Sequence, residues 1–168
     1  LDSDGDRVAI GAIRNGGSFS DAGHVRIYSW DGSSWNQLGS DIDGEAADDR
    51  FGRSVSLDSD GDRVAIGAHY NDGNGSDAGH ARIYSWDGSS WSQLGSDIDG
   101  EAAGDYSGIS VSLDFDGDRV AIGSWRNDGN GSDAGHTRIY SWDGSSWNQL
   151  GSDIDGEAAE DRSGISVS

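Results

Sequence analysis

The chain has 168 residues, a formal charge of −20 and no Lys, Pro, Cys or Met, so all 11 of its cations are arginines. A surface this acidic repels nucleic-acid phosphates and anionic lipid headgroups, and no apolar run is long enough to span a membrane as a helix, which excludes nucleic acid and membrane insertion as partners. With no cysteine, no disulfide can hold the fold together.

The block Leu1 to Ile10 returns at Leu57 and, with one change, at Leu113, so one 56-residue unit is written three times, as residues 1–56, 57–112 and 113–168. Units of this size cannot bury their apolar surface alone and stack on their neighbours. In the middle unit, the turn Asp58-Ser59-Asp60-Gly61-Asp62 precedes a strand over Arg63 to Ala68. A polar, Gly-rich loop, Asn71 to Gly79, leads to a strand over His80 to Trp86. The tight turn Asp87-Gly88-Ser89-Ser90 then leads to a strand over Trp91 to Leu94. The acidic segment Asp97 to Asp105 carries the chain onward, and Ser110-Val111-Ser112-Leu113 alternates small polar with apolar residues at the period of a strand.

Four short antiparallel strands per unit, with no helix pattern anywhere, predict an all-β fold of β-propeller blades, three of them in this chain. A β-solenoid is the alternative. Val64-Ala65-Ile66-Gly67-Ala68 is apolar on both faces but small, as expected where blades converge on an axis, while Tyr84, Trp86 and Trp91 supply bulk further out. Because the chain opens inside a turn, the first blade is expected to lack its first strand. Gly164, Ile165, Ser166, Val167 and Ser168 are expected to supply one to a further blade. The expected partners are therefore copies of the chain joined head to tail, as a ring or a filament, or further repeats of a longer chain.

Phe51-Gly52-Arg53-Ser54-Val55-Ser56, the Asp-rich turn and Val64 to Ala68 together resemble the FG-GAP repeat of integrin alpha-chain propellers and many microbial surface proteins. The Phe-Gly pair becomes Ser107-Gly108 and Ser163-Gly164 at the later junctions. Near-identical copies, which offer the same residues again and again in place of the unlike groups a catalytic site needs, point to a non-enzymatic, extracellular or cell-surface module with a structural or adhesive role. A lectin-like propeller, or scaffold for a larger enzyme, is the alternative. A surface protein or a glycan would then be the external partner.

In integrin blades of that family, a loop of alternating aspartates between the first two strands holds calcium, which makes calcium the candidate cofactor. The matching residues are Asp2, Asp4 and Asp6, then Asp58, Asp60 and Asp62, then Asp114, Asp116 and Asp118. Here glycine falls at the fourth position of the loop and Ile66 at the ninth, and a plain Asp-Gly hairpin is the competing reading. A second acidic set recurs unbroken: Asp41, Asp43 and Glu45; Asp97, Asp99 and Glu101; Asp153, Asp155 and Glu157. The loops Asp72 to Asp77 and Asp128 to Asp133 also alternate oxygens, where the first copy has Gly16, Ser18 and Ser20.

Trp30 with Trp35, Trp86 with Trp91 and Trp142 with Trp147 flank the same turn in each copy, as cross-strand packing pairs or as platforms for sugar rings. His24, His80 and His136 enter the third strand and read as hydrogen-bonding strand residues, with no nucleophile placed to make a triad. Arg26, Arg82 and Arg138 are expected to pair with carboxylates of a neighbouring blade. The copies differ most on the long-loop side, at Ile13, His69 and Trp125 and at Arg14, Tyr70 and Arg126, which makes these six the candidate ligand face. Asn74 and Asn130 begin glycosylation sequons.

Overall fold

A computed structural model describes residues 1–17 and 19–168; Ser18, in the first long loop, lies outside the described residues. Among the described residues there is no helix, and hence none long and apolar enough to cross a membrane. Three antiparallel sheets follow one another. The first comprises β1 (Arg7–Ala12), β2 (His24–Trp30), β3 (Trp35–Gln37) and β4 (Ile42–Asp43). The second comprises β5 (Ser54–Leu57), β6 (Arg63–Ala68), β7 (His80–Trp86), β8 (Trp91–Gln93) and β9 (Ile98–Asp99). The third repeats this with β10 (Ser110–Leu113), β11 (Arg119–Ser124), β12 (His136–Trp142), β13 (Trp147–Gln149) and β14 (Ile154–Asp155).

Short side chains close the turns that set this register. Asp58 Oδ1 accepts the backbone N–H of Arg63 at 3.0 Å, which closes the hairpin into β6. Asp87 accepts the N–H groups of Ser89 and Ser90, each at 2.8 Å, between β7 and β8. The sequence ends the fourth strand at Leu94 and treats the following acidic segment as a connection. The structure corrects this: Leu94 donates to Ile83 at 2.8 Å, and after a break Ile98 and Asp99 pair with Ala81 and His80. Gly95, Ser96 and Asp97 together stand opposite Arg82, with Gly95 at φ 80° opening the bulge. Burial drives the strand's return, since Ile98 is only 5% exposed.

The sheets pack face to face. Val25, Ile27 and Ile42 of the first meet Val64, Ile66 and Ala68 of the second, with Phe51 filling the space beside them. The opposite face of the second sheet, with Ala65, Ala81, Ile83 and Ile98, meets Val111, Leu113, Val120, Ile122 and Tyr140. The leading strands approach closest: Ser54 Oγ donates to Gly108 O at 2.8 Å, and a Cβ on Gly67 would lie 1.9 Å from that same oxygen. Further out, tryptophan side chains fill the widening gap, and Trp91 Nε1 donates to Leu38 O at 2.9 Å, as Trp147 Nε1 does to Leu94 O at 2.8 Å. Sheets that touch along their leading strands and are wedged apart by bulky residues at their trailing strands are consecutive propeller blades.

The outward faces of the terminal sheets carry the same residue types as the buried ones. Ile10, Trp30 and Trp35 on the first sheet are 51%, 42% and 44% exposed. Leu150 and Ile154 on the third are 52% and 55% exposed. Gly164 to Ser168 forms no strand within the chain.

Candidate functional site

The long loops gather on one side, where the connections after β6 and β11 meet those entering β5 and β10. A cleft of about 240 Å³ opens there between the second and third sheets, lined by Arg53, His69, Tyr70, Tyr106, Ile109, Trp125, Arg126 and Ile165. Of the candidate ligand face, the structure brings together His69, Tyr70, Trp125 and Arg126, while Ile13 and Arg14 follow β1 and do not line it. The rings form a chain: His69 to Tyr70 at 4.3 Å between centroids, Tyr70 to Tyr106 edge-on at 5.3 Å, and Tyr106 to Trp125 at 5.9 Å. Guanidinium groups lie over these rings. Arg50 sits 4.4 Å from the Tyr70 centroid, and Arg126 sits 4.6 Å from that of Trp125 and 5.1 Å from that of Tyr106. Arg162 covers Trp125 at 5.2 Å. Such stacking orients an arginine through its flat face and leaves its N–H edge free.

His69 is 6% exposed, and its Nδ1 has no hydrogen-bond partner. Burial, reinforced by Arg53 and Arg50, lowers its pKa to about 4, so the imidazole is neutral at pH 7. Burial also raises the Tyr106 hydroxyl, with the Asp77 carboxylate adding to the effect. The backbone at Arg50, Tyr106 and Arg162 is left-handed, with φ of 55°, 56° and 55°, which is rare for bulky side chains. Sequence reasoning missed Arg50, Arg53, Tyr106, Ile109 and Arg162. The signal was present, because positions 50, 106 and 162 read Arg, Tyr, Arg and positions 53, 109 and 165 read Arg, Ile, Ile, among otherwise near-identical copies.

The second acidic set lies between blades. Asp97 takes Arg82 with both carboxylate oxygens, from Nε at 2.8 Å and Nη2 at 2.6 Å, and Glu45 of the preceding copy reaches the same Nη2. Arg82 is thus paired both within its blade and across the junction. The next junction brings Arg138 Nη1 to 3.5 Å from Glu101, while Arg138 Nη2 donates to Asp99 O at 2.7 Å. In the first blade, Arg26 holds Asp41 at 2.9 and 2.8 Å with no preceding copy beside it. Three groups could offer a metal convergent ligands: His24, Asp41 and Asp43; Glu45, His80 and Asp97; and Glu101, His136 and Asp153. In the second, the Arg82 guanidinium already lies against both carboxylates. His80 does not make the hydrogen bond expected of it: Nδ1 stands 3.7 Å from Asp97 and 3.9 Å from Glu45, and neither ring nitrogen has a partner. Asp155 and Glu157 sit exposed at the end of the third sheet, whose Asp153 accepts Gln149 Nε2 at 2.6 Å.

Of the aspartates in the turns before β1, β6 and β11, one in each turn closes the hairpin. Asp2, Asp58 and Asp114 each accept the N–H of the following arginine, at 3.1, 3.0 and 3.0 Å. Asp4, Asp6, Asp60, Asp62, Asp116 and Asp118 are exposed. Burial, with Asp62 close by, raises Asp58 to about 6. The tryptophan pairs meet across strands at 5.4 to 5.6 Å and serve the junctions between blades. Trp86 and Trp91 close over Gly39, and Trp142 and Trp147 over Gly95, whereas Gly151 has open space around it. Asn74 and Asn130 spend their amide N–H on Gly100 O and Gly156 O, each at 2.8 Å, which ties down the nitrogen a glycan would need. In the terminal segment, Gly164 O accepts Ser110 Oγ at 2.7 Å, and Ile165, 62% exposed, stands at the cleft rim.

No curated protein matches the chain. Residues 40–84, from the end of the first copy through β5, β6 and most of β7, match the family model described as FG-GAP repeat. Phe51, wholly buried and 6.4 Å from the Tyr84 ring, lies within the matched segment, and over residues 40–84 the chain is similar to the FG-GAP repeat family.

Proposed function

We propose that the chain is a non-enzymatic, extracellular or cell-surface propeller module that joins copies of itself head to tail, as a closed ring or a filament, and acts as a structural or adhesive scaffold. One observation carries this reading: its two outward faces are the two halves of a junction that forms twice within the chain. Trp91 donates to Leu38 O and closes over Gly39, and Trp147 donates to Leu94 O and closes over Gly95. Trp35 has no such acceptor, and at the far end Leu150 and Gly151 have no tryptophan. Arg26, its side chain 41% exposed against 10% for Arg82, would gain Glu157 of a second copy as Arg82 gains Glu45. A cavity of about 220 Å³ on the outward face of the third sheet, lined by Leu113, Val120, Ala121, Ile139 and Ser168, would be covered by the same union. Near-identical blades suit a scaffold better than an enzyme, since catalysis needs unlike groups convergent on one atom.

The test is complementation. Trp35→Asp damages one face and Leu150→Asp the other, so each variant alone should remain a single chain in sedimentation. Mixed, the two still hold one intact pair of faces and should form a two-chain particle. Self-association of either variant, or none in the mixture, contradicts head-to-tail union.

A further inference from the structure

Five of the 11 arginines lie on the long-loop side, in a chain with 31 acidic residues. Among the described residues, eight of the 11 arginines have no carboxylate oxygen within 4.0 Å, and four of these eight, Arg50, Arg53, Arg126 and Arg162, gather around one set of rings. With nearly three carboxylates for every guanidinium, leaving four unpaired around one set of rings creates a local cationic patch on an anionic molecule. His69 adds a second, independent mark: a buried imidazole lining the cleft with an unpartnered ring nitrogen. A buried polar atom left without a partner costs stability, and at a cleft a ligand can supply that partner.

We propose that this cleft binds an acidic sugar unit. Arg53 and Arg126 take its carboxylate or sulfate, and its ring lies against Tyr106 and Trp125. A guanidinium edge matches a planar oxyanion in two-point fashion, and the stacked rings hold Arg126 ready for it. The volume of about 240 Å³ suits one ring-sized body, and the Tyr70 and Tyr106 hydroxyls and the His69 imidazole can exchange hydrogen bonds with sugar hydroxyls. The charge of −20 and the nearby Asp77 oppose a long polyanion and favour a single charged unit. The cleft lies within one chain, so the proposal does not depend on head-to-tail union.

Titration with glucuronic acid, a sulfated monosaccharide, glucose and inorganic sulfate, followed by the Trp125 indole resonance, tests it. The acidic sugars should saturate the signal with a Kd on the order of 1 mM, as expected for a shallow single site, while glucose should not saturate it. Arg126→Gln and Arg53→Gln should each weaken binding by about tenfold or more, the loss of a charged hydrogen bond. Arg119→Gln, on the tight-turn side, should leave binding unchanged, and both cleft variants should melt as the parent does. Equal binding of glucose, or full affinity in both arginine variants, overturns the anion site. Inorganic sulfate binding as tightly as the sugar acids overturns the sugar.

Discussion

At the scale of single residues, the repeat carries its cost in buried imidazoles. His80 is 1% exposed, and burial together with Arg82 lowers its pKa to about 4; burial also lowers His136. His69 and His80 stay neutral in the folded chain down to about pH 4, while in the unfolded chain they charge near 6.5. Folding therefore excludes their protons. Their contribution is complete above pH 6.5 and is lost as the pH falls through about 4. Asp58 runs the other way: raised from 3.8 to about 6, it favours the folded state below pH 3.8 and loses that advantage as the pH rises through 6. A variant isolates the histidines from this background. The stability of the parent relative to His69→Gln/His80→Gln, from urea melts at several pH values, should fall steadily between pH 6.5 and 4. A difference that ignores pH would contradict the neutral, buried state of both rings.

At the scale of elements, the same ion pair is worth different amounts in different blades. Asp97 holds an Arg82 side chain only 10% exposed, whereas Asp41 holds an Arg26 side chain 41% exposed. Asp97→Asn should therefore cost about 3 kcal/mol, because it removes a partner from a buried charge, and Asp41→Asn less than about 1 kcal/mol. Equal losses in chemical denaturation would show that the junction adds nothing to the pair. The strands were legible because each alternates, or is small on both faces, between turns whose Asp, Gly and Ser residues name themselves; β6, β7 and β10 fall where the pattern puts them. The return of β9 was hidden, since a two-residue strand in an acidic stretch has no period to read, and only the burial of Ile98 reveals it. That Arg82 meets a carboxylate across a blade boundary, at Glu45, was legible; that it is also held within its own blade by Asp97, 15 residues on, needed the fold. Half of the cleft was visible as variation after β6 and β11. The rest, at Arg53 and Tyr106, needed the fold to show that the junction loops meet the same space.

At the scale of the whole molecule, one junction explains the repeat. Small residues bring the leading strands of neighbouring blades together, tryptophans wedge the trailing ones apart, and each blade presents one face to receive and one to insert. Three blades satisfy two such junctions and leave one half at either end, with apolar side chains about half exposed. Apolar area of this kind drives association, and its match to an interface already formed twice suits a further blade of the same repeat, from a second copy as proposed above or from a longer chain. Sedimentation of the 168-residue chain across a range of concentrations is the most direct measurement. The expected result is a particle of two chains, or a series growing by 17.6 kDa steps, that Trp35→Asp returns to a single chain. A lone 17.6 kDa species at every concentration, unchanged by that substitution, would contradict it.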